Sequence, residues 1–327
     1  MNLLKDIYYQ KAYIELYLKE NETIFEFHYK DANYFFYNIS IKRPINKIGN
    51  TITDTVFYDL ETAYGYGGII SNTSDDKFLK KAFTAYKKEC LAQNIIAEFT
   101  RVHPFNESFE NLSSFCDLYV FDRETIAVNT VLAKEQRWEN YPSKIRTILR
   151  KCNKELSFEQ STDLTSFMKL YEETMSKNKA NSFYYFEKSY FEKLLALKNV
   201  DLYVVKLNDT IIAASFFLFG NSLAHYHLSA NDYNYRKYNA NYFILDSIFD
   251  IAHDKKKSFF HLGGGRTADE NDSLLKFKRK FSLVTKKFYL GGMVFHKEKY
   301  QEYIRLWEKQ TDKKINYFLK YRLDLHE

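Results

Sequence analysis

Apolar residues at helical spacing open the second half of the chain. Leu164, Phe167, Met168, Tyr171 and Met175 share one face of a helix expected over residues 162–177, and another helix follows at about 187–198. The stretch DLYVVKLNDTIIAASFFLFGNSLAHYHLSA, residues 201–230, reads as three antiparallel strands, because β-rich runs are separated by the turn pairs Asn208-Asp209 and Gly220-Asn221. Phe243, Ile244, Ile248, Phe249 and Ala252 then mark a helix over about 240–254, and SFFHL a short buried strand. A helix at about 272–281 and two strands around a Gly291-Gly292 turn complete this half.

The first half repeats much of that order. Strands are expected at 23–28, 34–41 and 54–60, an amphipathic helix at 76–92, and strands at 94–100, 116–121 and 125–130. No residue-level self-similarity accompanies the rhyme, so a duplication rests on element order alone. The expected fold class is α/β with mixed sheets, in two domains: residues 1–155 and 156–327, with the basic segment 137–155 linking them.

Composition narrows the classes. Apolar residues make up 45% of the 327, which argues against disorder. The charged N-terminal residues lack the apolar core of a signal peptide, and no stretch reaches the ~18 apolar residues of a membrane span. Cys90, Cys116 and Cys152 are isolated, without zinc-type or disulfide-type spacing. A cytoplasmic protein with reduced thiols and no metal is expected. The net charge of +6 is too small to imply DNA binding but suits an anionic substrate, and it is concentrated in SKIRTILRKCNK (143–154) and LLKFKRKF (274–281).

Six of the ten glycines lie in two tracts, ETAYGYGGIISN (61–72) and FFHLGGGRT (259–267). Glycine marks backbone that turns with positive φ or lets a neighbour approach closely. Each tract is therefore either a turn or a site. As a site, Tyr64 and Tyr66 would stack on a uracil-like base while Gly67 and Gly68 admit a diphosphate. The N–H groups of Gly263, Gly264 and Gly265, with Arg266, would take an anionic or carbonyl oxygen. His225 and His227 alternate on the third meander strand and point the same way; His227 is the candidate general base, with Tyr226, Ser229 and Asp232 nearby. HExxH, G-x-S-x-G, the Walker P-loop and the dinucleotide fingerprint are all absent.

The order helix, helix, three-strand meander, helix, strand, helix, strand resembles the fold of GCN5-related N-acetyltransferases, the GNAT superfamily. YGYGGIIS, HLGGG and DSLLKFKRKFS, with the basic IRTILRKCNK, resemble more narrowly the FemAB-like acyltransferases, which include the peptidoglycan-bridge aminoacyltransferases. The resemblance implies tandem GNAT-like domains, the first binding a nucleotide-sugar or peptidoglycan-precursor acceptor and the second meeting the acyl donor. That donor would be aminoacyl-tRNA, making charged tRNA a partner, or acyl-CoA, and no cofactor would be permanently bound. The reaction implied is amide formation on an amine of a cell-envelope precursor. The alternatives are an acyl-CoA-dependent N-acetyltransferase of polysaccharide biosynthesis and a tandem GNAT module that only binds.

The resemblance also assigns residues. Arg146 and Arg150 become candidate substrate-binding cations, and Lys276 and Lys278 lie where the family places cationic residues near the donor, with Lys278 supplying stabilising charge. The loop that binds pyrophosphate in acyl-CoA members, R/Q-x-x-G-x-G/A, corresponds to YRKYNANYF: Arg236 keeps the first position, but Asn239 and Asn241 replace glycines. Asparagine tolerates the left-handed conformation, yet its side chain crowds a pyrophosphate. A weak CoA site is expected.

Overall fold

The computed structural model describes residues 2–325. In chain order its elements begin with α1 (Lys11–Ile14), β1 (Thr23–Asp31), β2 (Tyr34–Ile48), β3 (Thr51–Glu61), β4 (Ile70–Ser71), α2 (Asp76–Ala92), β5 (Ile95–Val102) and β6 (Leu118–Asn129). They continue with α3 (Lys134–Glu139), α4 (Ser143–Glu155), β7 (Leu156–Ser161), α5 (Leu164–Lys177), α6 (Lys188–Ala196), β8 (Val200–Leu207), β9 (Thr210–Phe219) and β10 (Leu223–Asn231). The last are α7 (Ala240–Asp254), β11 (Phe259–Gly264), α8 (Ser273–Lys278), β12 (Thr285–Val294) and α9 (Lys297–Glu308).

The chain forms two compact units, residues 1–7 with 123–286 and residues 8–122 with 287–327. In the first unit β7, β8, β9 and β10 pair antiparallel in succession, β10 pairs parallel with β11, and β11 antiparallel with β6. Neighbouring residues on β9 show how the two faces are covered. Phe216 packs against Phe167 of α5 and Phe191 of α6, while Phe217 joins the core formed with α4 and α7. The five apolar residues that mark α7 in the sequence are all buried there.

The second unit repeats the pattern. β1, β2 and β3 form an antiparallel meander, β3 pairs parallel with β5 across the helix α2, and β5 pairs antiparallel with β12. α2 buries Phe78, Leu79, Ala82, Phe83, Tyr86 and Cys90, and α9 buries Tyr300, Tyr303 and Trp307. Meander, helix, parallel strand and antiparallel strand thus recur in both units, giving the mixed α/β, tandem architecture expected from element order.

The division of the chain differs from the one expected at residue 155. That residue ends α4, whose Ile145, Leu149 and Cys152 share the first unit's core with α7, and β7 follows directly to pair with β8. Segment 137–155 is therefore part of the first unit rather than a linker. β6 is one strand where two were expected, and so is β12, which carries Gly291 and Gly292 within it instead of turning there. Glycine serves close approach at these positions: a Cβ on Gly292 would stand 2.7 Å from the Phe318 ring, and one on Gly291 3.3 Å from Phe109. Among the described residues, no helix is long and apolar enough to cross a membrane, and Cys90, Cys116 and Cys152 are free thiols.

Candidate functional site

In the first unit β10 and β11 pair at only three positions, Leu223 with Phe259, Ala224 with Phe260 and His225 with His261. Each strand then stays with its other neighbour through a bulge. β11 shifts register on β6 between His261 and Gly263, and β10 shifts on β9 between Tyr226 and Ser229. The two strands part, opening a wedge along residues 226–231 of β10. At its apex the buried rings of His225 and His261 meet edge to face at 5.7 Å, and His225 Nε2 lies 2.9 Å from Asp6 Oδ2.

The glycine run forms one arm of the wedge, and each glycine has a conformational or packing reason. Gly263 sits at φ 72°, where L side chains are strained. A Cβ on Gly264 would fall 3.0 Å from the Glu124 carbonyl oxygen, and one on Gly265 2.6 Å from Asp272 Oδ1. Asp272 in turn caps α8, accepting from the N–H groups of Leu274 and Leu275. Gly263 and Gly264 pair with Ile126 and Thr125 of β6, so this part of the tract is strand backbone. Arg266 reaches away to donate to Asn178 Oδ1 at 3.0 Å.

Lys278, at the end of α8, is the most distinctive cation. It is buried, and its Nζ donates to the carbonyl oxygen of Gly264 at 2.6 Å. Burial lowers its pKa to about 7, against the opposing pull of Asp272. Lys276, two residues earlier, is exposed and donates to Asn271 Oδ1.

On β10 the His227 Nε2 lies 3.2 Å from the Tyr190 hydroxyl. Desolvation, with a smaller contribution from His225, pushes the His227 pKa down to about 3, so the imidazole is neutral near pH 7. Tyr190 was not singled out from the sequence, because only the packing of α6 brings it to β10. Tyr226 points to the other face, against the α7 core, and burial raises its pKa.

The N-terminus of α7 opens on a cavity of about 190 Å³ whose walls include Asn231, Asp232, Arg236, Asn239, Asn241 and Tyr242. Asn239 is the N-cap residue and adopts the left-handed conformation, φ 57° and ψ 34°, with no side-chain cap bond to the helix. Asn241 donates to Asn231 Oδ1 at 3.2 Å, while its own side-chain oxygen is buried without a partner. Arg236 is exposed, its guanidinium 4.3 Å from the centre of the Tyr233 ring.

Other residues selected from the sequence have local partners. Arg146 donates to the carbonyl oxygens of Trp138 and Glu139, near the end of α3, and Arg150 is exposed with its guanidinium 6.0 Å from the Trp138 ring. In the second unit Gly67 bonds to the end of β5 and the residue after it, its N–H donating to Arg101 and its carbonyl accepting from His103. Both polar groups of that peptide position are spent on the fold. Gly68 sits at φ 95°, and a Cβ there would stand 2.7 Å from Thr100 Cγ2. Tyr66 meets Tyr8, His103 and Phe288 edge to face, and the Tyr64 carbonyl accepts from the Tyr13 hydroxyl. The geometry at Gly67 and Tyr66 is that of a packed turn, with Tyr64 and Tyr66 half-buried.

Residues 139–279, from the end of α3 through α8, match the family described as acetyltransferase (GNAT) domain. That stretch of the chain is similar to a GNAT domain. The match begins upstream of residue 155 and takes in the wedge, the α7 cavity and Lys278. The structure of FemX is similar over 92% of this chain and 94% of that one, with a TM-score of 0.71 at 13% identity. The C-terminal domain of a putative lysylphosphatidylglycerol synthetase from Agrobacterium fabrum gives 0.54 at 13% identity over 82% and 84%. L-PGS from Bacillus licheniformis gives 0.50 at 13% over 83% and 84%. A search of curated protein sequences finds no match. The GNAT-like stretch thus sits in a FemX-like fold.

Proposed function

We propose that this chain is an N-acyltransferase that joins an aminoacyl or acyl group to an amine of a cell-envelope precursor, such as a nucleotide-linked amino sugar or peptide. The observation that carries the reading is the parting of β10 from β11 beyond His225 and His261, inside the GNAT-like stretch. Strand backbone freed from its ladder partner offers N–H groups to the oxygen of an acyl carbonyl as negative charge develops there. The acceptor amine attacks the acyl carbon, the bond to the carrier breaks, and the proton lost by the amine ends on the departing carrier oxygen or sulfur. His227, neutral at working pH, accepts a hydrogen bond from the attacking amine and so orients it, with Tyr190 beside its ring. The buried Lys278 fixes the glycine arm and supplies positive charge beside it.

The preferred carrier is charged tRNA. Asn239 and Asn241 place side chains in the lining of the α7 cavity, where a pyrophosphate would need bare backbone. Arg236, Lys237 and Lys276 are exposed and suit the spread phosphates of a larger donor, whereas Lys278 is buried and does not belong to that set. One observation favours acyl-CoA instead: Asn239 keeps the left-handed turn that presents the uncapped start of α7. Calorimetry with acetyl-CoA and with charged tRNA at two salt concentrations separates the carriers. The proposal expects tRNA binding that weakens steeply with salt, and weak CoA binding. Micromolar CoA binding without tRNA binding at low salt would make this an acyl-CoA enzyme, and binding of both without transfer would leave a binding module.

A further inference from the structure

The second unit contains a cavity of about 380 Å³ that the acyltransferase reading does not use. Its size lies at the lower end of the ~300–1,000 Å³ of small-molecule pockets. Four aromatic side chains wall it: Phe99 of β5, Tyr300 of α9, and Tyr317 and Phe318 of the segment after α9. Phe99 lies with its ring centre 5.8 Å from that of Tyr317 and 6.4 Å from that of Phe318, and Tyr300 is 5.5 Å from Phe318. Leu118, Leu290 and Ile304 fill the gaps between them.

The wall is built rather than incidental. Segment 311–316 has no helix or strand, yet it is tied at both ends. Gln310 donates to the Ile48 carbonyl oxygen and accepts from the Asn50 N–H, the Tyr300 hydroxyl donates to the Phe318 carbonyl oxygen at 2.6 Å, and Arg322 clamps the buried Asp59 at 2.8 Å. Besides the Tyr300 and Tyr317 hydroxyls, the first of which is spent on the Phe318 carbonyl, the polar side chains of the lining are Gln301, Asn316 and Lys320, and the last is neutralised by Glu308 at 2.7 Å. A rim of amides and a closed ion pair selects neither anion nor cation.

We infer that this cavity binds a small uncharged aromatic molecule of one or two fused rings, with one hydrogen-bonding substituent turned to the Gln301 and Asn316 amides. Rings at these spacings offer edges and faces for contacts at ~4.5–7 Å, which an aliphatic chain does not exploit.

The test uses the full chain and 5-fluoroindole as probe, followed by its fluorine resonance. Saturable one-to-one binding is expected, weakened at least tenfold by Ile304→Trp and by Leu290→Trp, each of which fills the cavity from a different wall. Unfolding midpoints of both variants within a few degrees of the parent establish that they fold; if one does not, the other decides. No saturable binding, or binding unchanged in the folded variants, overturns the inference. So does octanoate displacing the probe more strongly than indole, which would mark an acyl-chain site. None of these outcomes bears on acyl transfer in the first unit, so the two readings fail separately.

Discussion

The Lys278 ammonium donates to the carbonyl oxygen of Gly264 at 2.6 Å, joining the end of α8 to the glycine arm of β11. Between a folded pKa of about 7 and the ordinary 10.5, the unfolded chain binds the proton that the folded chain has released. Stability therefore rises as pH climbs through this interval. Lys278→Met should flatten that rise, by an amount on the order of a few kcal/mol across the interval. Urea midpoints of parent and variant at pH 6.5, 8.5 and 10 check it; parallel curves would show an unperturbed lysine.

His227 shifts the other way relative to neutrality. Its folded pKa of about 3 lies below the ordinary 6.5, so acid protonates the unfolded chain first and stability falls as pH drops from 6.5 toward 3. In the folded protein the His227 ring proton resonance should stay still between pH 5 and 8, and His227→Gln should soften the acid limb of unfolding. A resonance titrating near 6.5 contradicts the site geometry.

Asn239 holds φ 57° at the start of α7. Glycine meets that conformation without strain, whereas a Cβ without the asparagine amide costs ~1 kcal/mol. Asn239→Gly should keep stability within about 0.5 kcal/mol of the parent and Asn239→Ala should lose ~1 kcal/mol. Asn239→Gly should also tighten acetyl-CoA binding, since it removes a side chain from the cavity lining. Calorimetric titration of the variant measures this, and unchanged affinity would remove crowding as the reason for weak CoA binding.

Glu98 of β5 is fully buried in the second unit, accepting from Asn38, Ser40 and Tyr86 at 2.8 Å each. Desolvation raises its pKa despite these donors. Above the unfolded value near 4.5 the folded chain keeps its proton longer, so this group lowers stability as pH rises. Glu98→Gln should therefore gain stability relative to the parent between pH 5 and 8, seen in thermal midpoints. A constant difference across that range would mean the carboxyl is ionised throughout.

Periodicity carried the local structure. The α7 stripe of Phe243, Ile244, Ile248, Phe249 and Ala252, and the turns at Asn208 and Gly220, stand where the pattern put them. α9 went unassigned although Tyr300, Tyr303 and Trp307 keep helical spacing. Gly291 and Gly292 misled because glycine answers equally to a turn and to a ring packed on a strand. What sequence could not show was partnership across distance. His225 meets Asp6 from 219 positions away, and β12 joins β5 through Gly291 and Thr100, so neither the divided units nor the wedge follows from local pattern. Lys278 was selectable by charge and resemblance, but its burial depended on Gly264 and α8 closing over it.

The most direct measurement is transfer itself: labelled aminoacyl-tRNA and labelled acetyl-CoA, each incubated with a panel of UDP-amino sugars and UDP-linked peptides, followed by mass analysis for a new amide. The account predicts an amide product formed by the parent chain and reduced at least tenfold in folded Lys278→Met and His227→Gln. No amide with any donor, or a product whose rate both variants leave unchanged, would contradict acyl transfer at the wedge between β10 and β11.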